Sequence, residues 1–255
     1  MKIKFLCAAA ALTAAFTSTS AFADDVTLSG SAAIVSQYKF RGLGQSDNKP
    51  AVQVAMTASH ASGFYVSAWG SSLNTANGTE IDIYGGYTTS IADLGLTFDG
   101  GVYGYVYPGT TTANMFEVYG SVAKAYGPAT LKVGLNWAPK QGIFTTGAAA
   151  GSTTKYNVYK YADLSFAVPS TPITLHGHLG HNAGGLNYGK QYLDYNVGAA
   201  YKYKALTFDL SLVGTNVGRN SIATGSIAAP LGTFGNEAAY RVSKSVVVLS
   251  LTAGF

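Results

Sequence analysis

The chain has 255 residues, a length that a single barrel or sandwich domain commonly occupies. Only 11% of its residues are charged whereas 47% are hydrophobic, and this shortage of charge argues against an ordinary cytosolic enzyme. The formal net charge of +4 is small and scattered along the chain, which argues against nucleic-acid binding. A content of 31 Gly and 18 Tyr but 3 Met favours strands and turns over helices.

The N-terminal segment has the pattern of a secretory signal peptide. Two lysines precede an apolar stretch over residues 5–16, and Ala21-Phe22-Ala23 matches an A-x-A cleavage site. The apolar stretch is too short to span a bilayer, which disfavours the alternative of an N-terminal membrane anchor. We therefore expect residues 1–23 to be a signal peptide that is cleaved after Ala23. Residues 24–255 would then form one exported domain without cysteine, because Cys7 leaves with the peptide.

Beyond the signal peptide, apolar and polar residues alternate over segments of roughly ten residues, separated by turn residues. In residues 206–212, for example, leucine and phenylalanine alternate with threonine, aspartate and serine. This pattern is the signal expected of a membrane β-barrel. The predicted strands cover residues 26–41, 51–60, 64–73, 80–90, 96–107, 115–125, 130–139, 156–168, 173–182, 192–203, 206–217 and 239–255.

The connections between these segments alternate between short and long, as they do when an even number of strands runs up and down. Residues 61–63 and 204–205 are short connections, whereas residues 42–50 and 140–155 are long ones. The last predicted strand ends at Phe255, which lies on its apolar face. A terminal aromatic residue in this position is typical of outer-membrane barrels. The predicted fold is all-β, a transmembrane antiparallel up-and-down β-barrel of about 12 strands. A soluble sandwich is the alternative.

Four motifs stand out along this predicted barrel. They are Tyr38-x-Phe40-Arg41-Gly42-x-x-Gln45, Ser62-Gly63-Phe64-Tyr65-Val66-Ser67-Ala68-Trp69-Gly70-Ser71-Ser72, Glu80-x-Asp82-x-Tyr84-x-Gly86-Tyr87 and Phe98-Asp99-x-Gly101-x-x-x-Tyr105-x-Tyr107-Pro108-Gly109. In these motifs the sequence resembles the TorF-like family of outer-membrane porins, formerly a conserved family of unknown function. The resemblance implies an outer-membrane location and a pore, and it supplies no catalytic residues.

Charged residues on the polar side of the predicted strands are expected to line the interior, because charge inside a membrane span needs water or a partner. The pore-lining candidates are Lys39, Arg41, Glu80, Asp82, Asp99, Glu117, Lys132, Asp163, Asp194 and Asp209. Lys202 and Lys244 share this side. Opposed charges could form an ion and solute filter. Alternatively, these charges pair with one another and brace or plug the barrel. A barrel of twelve strands is intermediate in width between small barrels with a filled interior and large barrels with an open channel.

Arg41 gives the most specific prediction of any single residue in the sequence. At the first extracellular rim its guanidinium can make planar, bidentate pairs with Glu80, Asp82 or Glu117. The following Gly42 permits the chain to turn away from the wall. Two interpretations stay open, namely that Arg41 braces the first loop or that it contacts solutes directly.

Aromatic and histidine patterns suggest two further kinds of site. Tyr103, Tyr105 and Tyr107 share the interior side of one strand, where they could guide flat solutes such as sugars or simply fill the lumen. His176 and His178 face the interior, whereas His181 faces the opposite side. A zinc site needs three or four convergent ligands, so this pattern disfavours a metal site.

A barrel phospholipase is the rival functional class, and it needs a serine beside a histidine on the lipid face. His60-x-Ser62 has that spacing but lies at a predicted periplasmic turn, and no serine shares the face of His181 on the neighbouring strands. We therefore expect no enzymatic activity and no cofactor.

The functional hypothesis is an outer-membrane porin for passive diffusion of small hydrophilic solutes or ions. A weak cation selectivity follows from the excess of interior carboxylates. The alternative is a barrel with a plugged lumen and a structural or adhesive role. The expected partners are the outer-membrane lipid bilayer and the barrel-assembly machinery, which would recognise the C-terminal strand ending in Phe255. The sequence leaves the oligomeric state open.

Overall fold

The computed structural model describes residues 25–74, 78–146, 156–186, 191–218, 227–229, 232–234 and 236–255. The predicted signal peptide and its cleavage site after Ala23 lie outside the described residues. Residues 147–155, which belong to the predicted connection 140–155, lie outside them as well.

The described chain is almost entirely β-structure. In chain order the elements are β1 Val26–Val35, β2 Lys39–Phe40, β3 Leu43–Gly44, β4 Ala51–His60, β5 Phe64–Ser72, β6 Thr79–Ile91, β7 Leu96–Val106, β8 Met115–Tyr126, β9 Ala129–Ala138, α1 Ile143–Thr146, β10 Asn157–Ala167, β11 Ile173–Gly184, β12 Tyr192–Tyr203, β13 Leu206–Thr215, β14 Ile227–Ala229, β15 Gly232–Phe234, α2 Asn236–Ser243 and β16 Val246–Gly254. Short 3-10 turns cover Ala92–Leu94 and Thr111–Ala113. Neither helix of the described part is long and apolar enough to cross a membrane.

Twelve of these strands, β1, β4 to β13 and β16, form one closed antiparallel barrel. The ring closes between the first and last strands, where Ala32 lies opposite Ala253. On its other side β1 pairs with β4, with Val35 opposite Ala51. Closure gives each barrel strand a partner on both sides, so the backbone groups bond within the ring. The prediction of a 12-strand antiparallel barrel is confirmed.

Side chains alternate between the two faces of the wall, as the period of a strand requires. The outward positions carry exposed apolar residues, such as Ile34, Val66 and Leu249, each more than 55% exposed. The inward positions carry buried polar residues, such as Thr57 and Ser67, whose hydroxyls are 2.7 Å apart. The barrel therefore has an apolar outside and a polar inside.

The two ends of the barrel differ in their connections. At one end, here called the short-turn end, the connections span residues 61–63, 92–95, 127–128, 168–172 and 204–205. Each contains one residue with a left-handed φ: Gly63, Gly95, Gly127, Ser170 and Lys204. The opposite end, called the long-loop end, carries the longer connections, including residues 36–50 with β2 and β3. The predicted alternation of short and long connections matches this arrangement.

Two predicted strands extend further toward the long-loop end than the strands of the structure do. The segment predicted as strand 26–41 leaves the wall after Val35, because a two-residue turn at Arg41 and Gly42 folds it into the hairpin β2–β3. The segment predicted as strand 239–255 begins as helix α2, and β16 starts only at Val246. Lys39, Arg41 and Lys244 consequently do not lie on the barrel wall.

A close backbone contact lies on the inner face between β6 and β7. Gly86 and Gly101 are directly opposite each other there, and the hydroxyls of Tyr65 and Tyr119 hydrogen-bond to one another beside them. A Cβ at Gly101 would approach the carbonyl oxygen of Gly85 and would lie 2.7 Å from the Tyr119 hydroxyl and 2.8 Å from the Gly86 Cα. The two glycines thus leave the space that the tyrosine side chains fill.

Replacing Gly101 with alanine is expected to destabilise the barrel by about 1–3 kcal/mol, because the added methyl group meets backbone atoms that cannot turn aside. The measurement is the midpoint of urea unfolding in detergent, followed by circular dichroism. Gly120→Ala is the matched control, since a Cβ there meets nothing nearer than the Asp99 carbonyl oxygen at 4.0 Å. Equal midpoints for the two variants would contradict this explanation.

Candidate functional site

The candidate site is the interior of the barrel at its long-loop end, where the chain after β1 folds inward. Residues 37–46 are mostly buried, and β2 and β3 pair there as a two-stranded hairpin, with Phe40 opposite Leu43. We call the segment Lys39–Gly44 the inner hairpin. Its turn has φ values of 47° at Arg41 and 77° at Gly42, the left-handed pair of a type I′ turn.

The turn of the inner hairpin contacts the barrel wall at β12 and β13, which are three and two strands from β1 around the ring. A Cβ at Gly42 would lie 2.6 Å from Thr215 Cγ2, 2.7 Å from the Gly214 carbonyl oxygen and 2.8 Å from Asp194 Cβ. Only glycine fits this contact, because both its φ and its surroundings exclude a side chain. The hairpin therefore extends inward from β1 and rests against β12 and β13.

Arg41 holds the inner hairpin against the wall through a buried ion pair. Its Nη2 donates to Glu117 Oε2 at 2.5 Å, and the side chains of Arg41 and Glu117 are 6% and 0% exposed. The guanidinium also lies 4.1 Å from the ring centre of Tyr159 and 4.7 Å from that of Phe40. Burial opposes the charge, but the carboxylate of Glu117 outweighs it and raises the pKa of Arg41 above its ordinary value.

The Glu117 carboxylate is the centre of this part of the interior. Its Oε2 also accepts hydrogen bonds from the Tyr105 hydroxyl at 3.1 Å and from Asn136 Nδ2 at 3.0 Å. Of the three pairings that the sequence left open for Arg41, the structure selects Glu117. The contacts favour bracing of the first loop over direct contact with solutes, because the guanidinium is buried.

Glu80 and Asp82 form a second acidic group beside the inner hairpin. Tyr107 donates its hydroxyl to Glu80 Oε1 at 3.0 Å, and Tyr103 donates to Asp82 Oδ2 at 2.9 Å. Within the described ranges neither carboxylate has a salt-bridge partner. Tyrosine hydroxyls rather than cations therefore bind these two carboxylates.

The predicted tyrosine stripe is part of this network. Tyr103 stacks between Tyr84 and Tyr105, at 4.5 Å and 4.6 Å between ring centres, and Phe40 of the inner hairpin packs on Tyr105. Tyr105 and Tyr107 are 2% and 3% exposed. The stripe therefore fills the interior in this conformation, and it offers little open surface to a flat solute.

A third group lies on β10, β11 and β12. His178 binds Asp163 Oδ1 through Nδ1 at 2.6 Å, and its Nε2 lies 2.7 Å from the Tyr159 hydroxyl and 3.1 Å from Asp194 Oδ1. Lys132 Nζ is 3.7 Å from Asp163 Oδ2. This network connects the wall to Tyr159, on which Arg41 stacks.

The remaining predicted site residues lie on the inner face as well. His176 binds Asp209 at 2.7 Å, and Tyr65 donates its hydroxyl to Asp99 at 2.8 Å. His181 points outward, away from His176 and His178. Among the described residues, no three His, Cys, Asp or Glu side chains are arranged to hold a metal ion.

Lys39 connects the inner hairpin to α2 instead of lining the wall. Its Nζ donates to the carbonyl oxygens of Val242 at 2.8 Å and Lys244 at 3.1 Å, at the C-terminal end of the helix. A helix C-terminus attracts positive charge. Burial lowers the pKa of Lys39 to about 8. Lys244 itself lies outside the barrel strands, with its Nζ 4.9 Å from the ring centre of Tyr240.

Several polar residues of the interior were not predicted. Ser46 accepts the backbone N–H of Tyr38 at 2.9 Å, and Asn157 donates to Asn182 at 2.9 Å. Asn136 binds Glu117, as described above. The three asparagines occupy interior positions of predicted strands, so the alternation could have identified them, whereas nothing in it places Ser46 inside.

The His60–Ser62 pair has a local role in its turn. His60 Nδ1 lies 2.7 Å from Ser62 Oγ and also accepts the backbone N–H of Ser62 at 3.1 Å. Both residues are exposed at the short-turn end. The contact therefore ties a tight turn together, which is a sufficient explanation of the spacing.

Comparison with known proteins places the chain in a family. No curated protein sequence matches it. Among solved structures, the KdgM porin matches with a TM-score of 0.56 at 10% identity, over 89% of this chain and 99% of that one. The NanC porin matches with a TM-score of 0.54 at 10% identity, over 90% and 99%. At this identity the likeness shows a shared barrel fold.

A family model described as "Bacterial protein of unknown function (Gcw_chp)" matches residues 19–255. This description differs from the TorF-like name that the motifs suggested, and that name is not confirmed. The match extends over the whole barrel, including the predicted motifs and the last strand. The chain therefore belongs to the Gcw_chp family of bacterial proteins of unknown function.

Proposed function

We propose that this protein is an outer-membrane channel for passive diffusion of small hydrophilic solutes or ions. One observation carries the proposal: the barrel has an apolar outside, while the carboxylates of its strands face inward. They are Glu80, Asp82, Asp99, Glu117, Asp163, Asp194 and Asp209. An apolar belt around a polar, charged lumen is typical of transmembrane barrels that conduct.

Aromatic residues at both ends of the outer surface support the placement in a bilayer. Exposed Tyr87, Tyr126 and Tyr201 lie near the short-turn end, and exposed Phe116 and Trp137 lie near the long-loop end. Such girdles mark the two membrane interfaces of barrels. In this placement the short turns face the periplasm and the long loops face the outside of the cell. The likeness to the KdgM and NanC porins agrees with it.

The inner hairpin is the constriction of the proposed channel. It crosses the interior near the long-loop end and covers the Glu117 carboxylate. Solutes would pass beside it or after it moves. The excess of carboxylates over basic groups in the lumen gives the channel a weak preference for cations.

Planar-bilayer recording of the purified protein tests this function. Stepwise currents support a channel, and the absence of any current at every voltage would support the second candidate, a plugged barrel with a structural role. The buried inner hairpin favours that second candidate for the conformation described here. Intact phospholipid after incubation with the same sample distinguishes both from a lipid-modifying enzyme.

The seam between the first and last strands gives a prediction for assembly. Phe255 donates its backbone N–H to the Gly30 carbonyl oxygen at 3.0 Å and accepts from the Gly30 N–H at 2.7 Å. Deleting Phe255 removes both bonds and the terminal aromatic ring. We expect several-fold less heat-modifiable protein in the outer-membrane fraction, measured by gel shift.

Phe255→Ala keeps the two backbone bonds and therefore separates their contribution from that of the ring. If the barrel-assembly machinery recognises the aromatic side chain, this variant should assemble as poorly as the deletion variant. Full assembly of the deletion variant would refute the role of Phe255. N-terminal sequencing of the same membrane fraction tests the expected mature start at Asp24.

A further inference from the structure

On the described outer surface of the barrel, a basic pair lies within the apolar belt. Lys160 on β10 lies directly opposite His181 on β11, and both face outward. The other strand neighbours of this pair are Leu135 and Leu193. The carboxylates of the described strands face the interior, so the pair has no acidic neighbour on its own surface.

The basic pair lies just below the aromatic girdle at the long-loop end, since Lys160 is opposite Leu135, two residues inward of Trp137. Lys160 is three residues from the start of β10 and His181 three residues from the end of β11, both at the long-loop end. Three strand residues span roughly 10 Å. Lysine side chains near a membrane interface extend toward it and keep their charge in the polar layer. An anion of the headgroup region is therefore the group that these two side chains would meet.

A shallow groove begins directly beside the basic pair. It has a volume of about 450 Å³ and runs over the outer faces of β9 to β12. Its floor is formed by two small residues, Ala162 and Gly177, and its sides include Leu164, Leu179 and Val197. Ala162 is the next outward residue after Lys160, and Leu179 is the next one before His181. The groove thus continues from the basic pair toward the middle of the bilayer.

We propose that Lys160, His181 and this groove form a binding site for a lipid with a phosphate headgroup. The phosphate would accept hydrogen bonds from the Lys160 ammonium and a His181 ring N–H, and one acyl chain would occupy the groove. Charge complementarity selects an anionic headgroup over a zwitterionic one, and the apolar groove selects a lipid over a free anion. The site rests on the proposed membrane location but not on conduction.

The experiment measures lipid that stays bound to the protein purified in a non-ionic detergent, by native mass spectrometry. The probes are dioleoyl phosphatidic acid, dioleoyl phosphatidylcholine and inorganic phosphate. We expect phosphatidic acid to bind severalfold more tightly than phosphatidylcholine. Millimolar inorganic phosphate should leave the bound lipid in place. Binding is read in detergent, so a protein that fails to conduct still gives a valid result.

Lys160→Gln with His181→Gln is expected to weaken phosphatidic acid binding by about fivefold or more, because one basic residue near anionic lipid contributes about that factor. Lys124→Gln is the matched control, since Lys124 is an outward lysine on β8 near the short-turn end, away from the groove. Gly177→Val narrows the groove, and the Cβ that it adds lies 3.8 Å from the Asn196 carbonyl oxygen, an ordinary contact. This variant should lose the part of the lipid affinity that comes from the acyl chain in the groove.

Unchanged lipid binding in the double variant would overturn the proposal, as would equal losses in Lys124→Gln. Displacement of the lipid by inorganic phosphate would show that the groove contributes nothing and would also overturn it. Heat-modifiability of each variant on gels confirms that a loss of binding comes from a folded barrel.

Discussion

Replacing Arg41 with methionine is expected to release the inner hairpin from the barrel wall and to raise the conductance of the channel. The substitution leaves the fully buried Glu117 carboxylate without its cation. Removing one partner of a buried ion pair costs about 3–5 kcal/mol, which corresponds to a population shift of about a hundredfold or more. The hairpin can avoid this cost by moving outward and letting water reach Glu117.

Two measurements report the release. Planar-bilayer recording should show larger and noisier currents than those of the unmodified protein. Trypsin should also cut after Lys39, whose side chain is held against the end of α2 while the hairpin is in place. Circular dichroism should remain that of an intact barrel, because β1 and β4 keep their pairing without the hairpin.

Lys49→Met is the matched control for Arg41→Met. It removes one positive charge from the same connection, but Lys49 is exposed and lies beyond the inner hairpin. Its conductance and its cleavage after Lys39 should equal those of the unmodified protein. The double variant Arg41→Met with Glu117→Gln removes both charges, so it should release the hairpin less than Arg41→Met alone. If Arg41→Met neither changes the current nor exposes Lys39, the bracing role is wrong.

The barrel could be predicted from the sequence because the side chains of its wall follow one pattern along every strand. Along β4 to β13, outward apolar side chains alternate with inward polar ones, apart from residues near the strand ends such as Lys124, Lys160 and His181. The strand carboxylates follow the same rule, since Glu80, Asp82, Glu117 and Asp194 lie on the inner face near the long-loop end. Local alternation is therefore sufficient for the wall.

The inner hairpin could not be predicted in this way, because its residues alternate too. Tyr38 and Phe40 alternate with Gln37, Lys39 and Arg41, so the pattern extends the strand although the backbone turns. What decides the turn is the left-handed backbone at Arg41 and Gly42 together with contacts to β12 and β13. Such contacts join residues far apart in the chain, and period-two alternation contains no information about them.

The last strand shows the same limit. Residues 236–243 form α2, whereas the alternation extended the strand back to residue 239. Short apolar and polar runs fit a helix turn as well as a strand, so their pattern alone does not decide between them. The end of this helix is fixed by a tertiary contact, since Lys39 donates to its last carbonyl groups.

The selectivity of the channel is expected to depend chiefly on Glu80 and Asp82. Seven carboxylates face the lumen, and four of them have a basic partner: Glu117 pairs with Arg41, Asp163 with Lys132 and His178, Asp194 with His178, and Asp209 with His176. Glu80 and Asp82 are bound by tyrosine hydroxyls instead, and no basic side chain in the described ranges pairs with either. When ionised, these two carboxylates place negative charge on the inner wall. A negative charge in a low-dielectric wall attracts cations and repels anions.

We therefore predict a reversal potential of cation-selective sign in a potassium chloride gradient. The preference should be weak in 0.1 M salt, where screening acts beyond about 10 Å, and should grow as the salt is diluted. Arg41→Met should strengthen it, because the variant removes a lumen cation and lets water reach the carboxylates behind the inner hairpin.

The double variant Glu80→Gln with Asp82→Asn should lose most of this preference while it keeps the hydrogen bonds from Tyr107 and Tyr103. Asp93→Asn is the matched control, because Asp93 lies in an exposed turn at the short-turn end and contributes no charge to the lumen. The net charge of residues 24–255 is +2, because Lys2 and Lys4 belong to the predicted signal peptide, and this charge predicts the opposite sign. An anion-selective potential at low salt would thus show that rim and loop lysines, rather than the lumen carboxylates, control the ions in the pore.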